Sequence, residues 1–223
     1  MNYDSVPLRD FKELNDWETV IFVYQSALKQ VETKIDILNG EFQHRHKYNP
    51  IEHVKSRIKT PESIVKKLKR HGYESSIENM VRYVNDIAGI RISCSFTSDI
   101  YLIADMISKQ NDLTILARRD YMKNPKKSGY RSYHMLVTTP VFLSDSIIDT
   151  KVEIQIRTVA QDFWATLEHK MHYKFEGDGP DYITKELREC ARYVAELDTR
   201  MEELNNEIQK YGCLLYTSDA ADE

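Results

Sequence analysis

Residues 151–157, Lys-Val-Glu-Ile-Gln-Ile-Arg, alternate without a break between polar and apolar side chains. Successive residues of a strand point to opposite faces. The spacing therefore predicts a β-strand with Val152, Ile154 and Ile156 on one face and Glu153, Gln155 and Arg157 on the other. Such a strand buries one face under a covering layer, while the other faces water or lines a site. A carboxylate, an amide and a guanidinium in a row favour the site. A second strand is predicted at residues 86–94, Asp-Ile-Ala-Gly-Ile-Arg-Ile-Ser-Cys, where the apolar run is nearly continuous. Asp86 stands at its entry and Arg91 inside it. A charge in a buried strand is costly unless paired, so both need partners; for Asp86 a metal ion is the expected one. Gly89 omits a side chain where something approaches the backbone closely.

The remaining elements follow from period and punctuation. Asp16 is a candidate N-cap for a long helix ending near Gly40, with an apolar stripe from Trp17 to Leu38. His44 and His46 read as surface residues of a polar connector. Pro50 suits the first turn of a helix over residues 51–57. Another helix starts near Pro61 and stops at His71-Gly72, and a short one ends near Val84. Asp99 is expected to cap a helix reaching Lys109. Apolar, β-branched runs at 113–117 and 135–139 predict two strands, and residues 141–150 read as an irregular connection. Thr158 is expected to cap a helix with Phe163, Trp164, Leu167 and Met171 inward and Asp162, Glu168 and His169 on its rim, broken at Asp178-Gly-Pro. An amphipathic helix over 184–210 closes the pattern. Strand, helix, strand at these spacings implies an α/β or α+β layer.

Two cationic stretches stand out. Between the strands at 113–117 and 135–139 lie Arg119, Lys123, Lys126, Lys127 and Arg131, broken by Asn124-Pro125 and Ser128-Gly129. Both dipeptides mark turns, so the stretch is a loop. It suits a polyanion such as a nucleoside triphosphate, and Tyr130 offers a flat face for a base; the alternative is a solvated hairpin loop. Upstream, Arg57, Lys59, Ser63, Lys67 and Arg70 are able to converge on one anion near a helix N-terminus, or form a solvated helix face.

Composition narrows the classes. At 223 residues with 41% hydrophobic and 30% charged content, the chain suits one soluble domain with helical extensions. Its apolar runs fall short of a membrane span, and the first residues lack a signal peptide's basic start and apolar core. Cys94, Cys190 and Cys213 make neither a disulfide framework nor a zinc pattern. A cytoplasmic location is expected. A net charge of −4 argues against nucleic-acid coating, and no stable nucleic-acid partner is expected. Residues 213–223 break the helical pattern and resemble a translated sequencing adapter. They are expected to be a non-native tail on a single domain spanning 1–212.

Four segments in order carry a family resemblance: residues 57–67, the Asp-Ile-Ala-Gly-Ile-Arg at 86–91, the Arg-Asp-Tyr and Gly-Tyr-Arg-Ser-Tyr-His of 119–134, and the Glu-Ile-Gln-Ile-Arg-Thr at 153–158. Together they resemble the motif set of RelA/SpoT-type (p)ppGpp synthetase domains, over about residues 16–210. The length resembles that of a stand-alone small alarmone synthetase without a hydrolase domain. Asn49-Pro-Ile-Glu-His and Asp162-Phe-Trp-Ala are more similar to the RelP branch than to RelQ.

The resemblance implies pyrophosphate transfer from ATP to the 3′-hydroxyl of GDP or GTP, with Mg²⁺. It implies an α+β fold with a mixed, mainly antiparallel sheet of about five strands, nucleotidyltransferase-like, flanked by helices. It also implies a homotetramer. By the same resemblance Asp86 is a metal ligand. Glu153 orients or deprotonates the acceptor hydroxyl and shares the metal. Arg57 and Arg91 sandwich adenine, and Lys59, Ser63 and Lys67 meet the ATP phosphates. Tyr130 stacks on guanine, Asp162 lies near the base edge, and Arg119, Lys127, His134 and Gln155 complete the acceptor site. Ser128 stands where long members often carry Asn. Two other readings remain at this point: another nucleotidyltransferase-like enzyme on the same metal site, or a non-catalytic nucleotide- or RNA-binding module. The last would dispense with Asp86 or Glu153, and both are present.

Overall fold

The alternating segment becomes part of β5 (Ile147–Thr158), the middle strand of a five-stranded sheet. The computed structural model describes residues 16–46, 48–174 and 181–218. Along the chain lie α1 (Trp17–His46), β1 (Ile51–Ile58), α2 (Pro61–Arg70), α3 (Ile77–Tyr83), β2 (Ala88–Cys94) and α4 (Thr97–Ser108). Then come β3 (Thr114–Asp120), β4 (Tyr133–Phe142), β5, α5 (Val159–Lys174) and α6 (Asp181–Ser218). The strand order is β1-β2-β5-β4-β3, with only the β2–β5 pair parallel. The fold is thus α+β with a mixed, mainly antiparallel sheet flanked by helices.

Alternation fixes the two faces. Ile90 and Ile92 of β2, Met135 and Val137 of β4, and Val152, Ile154 and Ile156 of β5 are all buried on one face. They form the main core with Val20, Val23, Tyr24, Ala27, Val31 and Ile35 of α1. Burial of this kind contributes roughly 25 cal/mol per Å² of apolar area. Asp16 caps α1 as expected: its carboxylate accepts from the Thr19 N–H at 2.7 Å.

Several expected boundaries move, for local reasons. Residues 51–57 form strand β1, not a helix. A register shift between Ile51 and His53 places Ile51 and Val54 three apart, which mimics a helical period. Residues 141–150 are not irregular: β4 and β5 form a long hairpin closed by the Leu143 N–H donating to the Ser146 carbonyl. Pro140 is tolerated there because β3 pairs with β4 only as far as Thr138, leaving that flank open. Helix α1 runs past Gly40, so the exposed His44 and His46 lie on its last turn. Helix α4 starts two residues before Asp99, whose carboxylate instead reaches back to the Phe96 N–H at 3.0 Å. In α5, Trp164 is buried, but Phe163 and Met171 are exposed rather than inward. The expected break at Asp178-Gly-Pro lies outside the described residues. Helix α6 continues to Ser218, past the expected break at Gly212.

Candidate active site

The other face of the sheet is ordered in rows by strand register. One row runs Arg57, Gly89, Glu153, Leu136; the next runs Lys55, Arg91, Gln155, His134, Arg119. The strands thus bring together side chains as distant in sequence as Lys55 and Gln155. Arg57, Asp86, Gly89, Arg91, Glu153 and Gln155 open onto one cavity of about 180 Å³. The Arg57 stem crosses Gly89, which is the close approach expected there: a Cβ would lie 3.9 Å from Arg57 Cγ.

Asp86 precedes β2 and is held by two lysines. Lys59 Nζ donates to Oδ2 at 2.8 Å and Lys67 Nζ to Oδ1 at 2.7 Å. Burial alone would raise the Asp86 carboxyl, but these two ammonium groups outweigh it and hold it at about 2. The charge of Asp86 is therefore met by lysines, so its place in the strand does not by itself demand a metal. Of the upstream cations, Lys59 and Lys67 converge on one anion, and that anion is Asp86. Ser63 is exposed and hydrogen-bonded to the cap residue Thr60, and Arg70 lies at the far end of α2.

Glu153 faces the acceptor side. Gln155 Nε2 donates to Glu153 Oε2 at 2.9 Å, and His134 Nδ1 lies 3.6 Å from Oε1. Burial pushes the Glu153 carboxyl up, yet the facing imidazole and the amide bring it below its ordinary value. The carboxylate is thus ionised and within reach of a proton donor. The Tyr130 hydroxyl meets His134 Nε2 at 2.9 Å, and burial keeps this phenol above its usual value and neutral. Tyr130, His134 and Gln155 line a second cavity of about 430 Å³ together with Arg57, Arg91 and Ala165, Thr166, Glu168, His169 and Lys170 of α5. At its wall, Asp162 Oδ1 lies 2.9 Å from Arg157 Nη2 and 3.5 Å from Arg91 Nη1. Arg91 Nε and Arg157 Nε are buried without a hydrogen-bond partner, and the charge of Asp162 is met by the two guanidinium groups.

The cationic stretch divides in two: Arg119 and His134 are paired strand residues, and residues 121–132 are the loop proper. Lys127, expected at the acceptor, is exposed and away from both cavities; Lys126 instead lies over the Tyr130 ring at 4.6 Å. Gly129, beside them, packs against α6. Its φ of +94° excludes an ordinary side chain, and a Cβ would fall 2.5 Å from the Ala191 Cβ of α6. Helix α6 also receives Trp164 Nε1 at the Leu187 carbonyl, and Trp164, Ala165, Ala191 and Tyr130 form a small second core.

Sequence reasoning left Lys126, Arg157 and Lys151 out of the candidate set. Arg157 was visible in the alternation. Lys126 was visible only as one of five loop cations, and the sequence does not say which of them lies over Tyr130. Lys151 is 2% exposed, and its ammonium donates to Asn85 Oδ1 at 2.8 Å and the Arg82 carbonyl at 3.3 Å. Burial, with the Lys67 charge nearby, pushes it down to about 8.

Comparison with known proteins places this geometry. Residues 56–178 match the region found in RelA/SpoT proteins. The chain is 45% identical over 195 residues to GTP pyrophosphokinase YwaC of Bacillus subtilis (strain 168), covering 87% of this chain and 93% of that protein. Its fold matches the crystal structure of small alarmone synthetase 2 from Bacillus subtilis with a TM-score of 0.78 and 44% identity, over 86% of this chain and 99% of that one. It also matches small alarmone synthetase 1 from the same organism bound to its product pppGpp, with a TM-score of 0.80 and 34% identity, over 86% and 98%. The motifs on the polar sheet face lie inside the matched region, and the sheet that carries them is shared: the chain belongs to the RelA/SpoT family, among its small alarmone synthetases.

Proposed function

We propose that this chain is a GTP pyrophosphokinase that transfers pyrophosphate from ATP to the 3′-hydroxyl of GDP or GTP, making ppGpp or pppGpp. One observation carries the reading: two ionised carboxylates, Asp86 and Glu153, open onto one cavity, with paired arginines on one side and an aromatic, cationic loop on the other. In the reaction the acceptor's 3′-oxygen attacks the β-phosphorus of ATP, the bond to the α-phosphate oxygen breaks, and AMP leaves. Glu153, ionised and aligned by Gln155, takes the hydroxyl proton; a positioned base of this kind contributes about 10²–10⁴-fold. Arg57 and Arg91 receive the adenine, planar guanidinium groups suited to stacking on a base. Lys59 and Lys67 exchange Asp86 for the incoming phosphates. Tyr130 stacks on guanine, with Asp162 at the base edge and Arg119, Lys126 and His134 toward the acceptor's phosphates.

The donor set fits Mg²⁺, which binds through one or two carboxylates plus phosphate oxygens, here Asp86 and Glu153. Bound there, it would neutralise charge on the transferring phosphates.

The working unit is a homotetramer in the cytoplasm. On α6, Tyr193, Leu197, Met201, Leu204 and Ile208 recur at three and four residues and stand about half exposed or more, an apolar stripe seeking a partner. The stripe of α1, by contrast, is spent inside the fold. Among the described residues no helix is long and apolar enough to cross a membrane. Residues 213–223 have no role in the reaction.

The test incubates the purified chain with ATP, Mg²⁺ and either GDP or GTP and separates the nucleotides. AMP and a 3′-pyrophosphorylated guanine nucleotide in equal amounts are expected. ATP consumption without that product would point to another nucleotidyl-transfer reaction on the same site. Light scattering checks the assembly, with a tetramer mass expected at micromolar concentration.

A further inference from the structure

Lys151 is a buried cation that the transfer reaction does not use. It stands two residues before Glu153 on β5 and is 2% exposed. Burying an ammonium is expensive, and a methionine of similar length would fill the space without that cost. The ammonium points at the turn between α3 and β2. It donates to the Arg82 carbonyl, in the last turn of α3, at 3.3 Å, and to Asn85 Oδ1 at 2.8 Å. A cation near a helix C-terminus satisfies its unpaired carbonyls and opposes its dipole.

The next residue after Asn85 is Asp86. Lys59 and Lys67 hold the Asp86 carboxylate by its oxygens, but they reach it on flexible stems from just past β1 and from α2. Lys151 instead fixes the backbone turn that presents Asp86, and it does so from the strand that carries Glu153. One short stretch of β5 thus carries one carboxylate and anchors the turn bearing the other. The ammonium of Lys151 bonds to the turn, while the Asp86 carboxylate is held by Lys59 and Lys67, so the effect of Lys151 is one of place.

The structure assigns Lys151 the role of a positioning residue that sets the spacing between Asp86 and Glu153 by clamping the Arg82–Asn85 turn. The assignment rests on the pyrophosphate-transfer reading above. It makes the donor side sensitive to Lys151 and leaves the guanine side indifferent.

The test compares the full-length chain with Lys151→Met, Asn85→Ala and the double variant. Three quantities are measured: melting temperature, calorimetric binding of a non-hydrolysable ATP analogue with Mg²⁺, and steady-state kinetics for ATP and GDP. Lys151→Met is expected to melt within about 2 °C of the parent or above it, since replacing a buried charge with an apolar isostere is often neutral or stabilising. Analogue affinity and kcat/KM for ATP fall by about 10–100-fold, the usual effect of losing a residue that orients a metal or phosphate ligand. The KM for GDP stays within about twofold, the acceptor side being untouched. Asn85→Ala produces a similar loss, and the double variant is no worse than either alone, as expected for two partners in one clamp.

Unchanged ATP use by Lys151→Met overturns the assignment. So does an equal loss of ATP and GDP use that tracks a lower melting temperature, because that is a general structural role. If the parent chain makes no pyrophosphorylated product, the functional reading fails separately. The analogue titrations of parent and variants then decide the positioning role alone.

Discussion

On the donor side, Arg57 and Arg91 sit on paired strands, and Asp86 is tied by two lysine hydrogen bonds of 2.8 and 2.7 Å. On the acceptor side, Lys126, Ser128 and Tyr130 sit on a loop held by Gly129 against α6 and by the Tyr130–His134 bond. The first half is placed by sheet register and neutralised within itself. The second depends on a helix more than sixty residues downstream and on a small satellite core. A site built this way is expected to lose its two nucleotides independently. Between the halves stands Glu153, in contact with His134 on one side and sharing a cavity with Asp86 on the other.

The largest effect is expected at that junction. Glu153→Gln preserves shape and the binding of both nucleotides but removes the proton acceptor, so kcat falls by about 10²–10⁴-fold while each KM holds. Loss of nucleotide binding instead would make Glu153 a binding group and merge the two halves.

Asp86→Asn strikes the donor half alone. ATP use is expected to fall by about 10–100-fold, with part regained at higher Mg²⁺, and GDP affinity is expected to hold. The same substitution has a pH signature. The carboxyl is held at about 2, below the ordinary aspartate value of 3.8, so its contribution to stability is present above 3.8 and lost as pH falls through 2. Acid unfolding of parent and variant, followed by circular dichroism, should therefore converge near pH 2.

Gly129→Ala strikes the acceptor half. The positive φ and the 2.5 Å approach to Ala191 together cost on the order of 1–3 kcal/mol locally. GDP KM rises accordingly, by roughly tenfold, and binding of the ATP analogue is unchanged. Tyr130→Ala removes a base stack worth about 1–3 kcal/mol. Tyr130→Phe forfeits only the bond to His134, about 0.5–1.5 kcal/mol. Kinetics for each substrate separate the two. Deleting residues 213–223 is expected to change neither activity nor melting temperature, and a drop of several degrees would show that the end of α6 is packed.

Much of this division was legible in the sequence where period and register decide it. The alternation at 151–157 identified Glu153, Gln155 and Arg157 as one face, and the apolar run at 86–94 put Asp86 at a strand entry. Strand β1 was misread because one bulge turns a period of two into an apparent period of three. Lys127 was preferred to Lys126 because loop spacing says nothing about which lysine lies over the Tyr130 ring. The lysine clamp on Asp86 and the Lys151–Asn85 bond join residues 19 to 66 positions apart. No local pattern reports contacts of that kind.

The independence of the two halves is the central claim, and one set of titrations tests it. Asp86→Asn and Gly129→Ala are each titrated by calorimetry with a non-hydrolysable ATP analogue and, separately, with GDP. The account predicts a crossed result: Asp86→Asn loses the ATP analogue and keeps GDP, while Gly129→Ala loses GDP and keeps the analogue. If either variant loses both nucleotides by the same factor with its melting temperature intact, the halves are one site and the account is wrong.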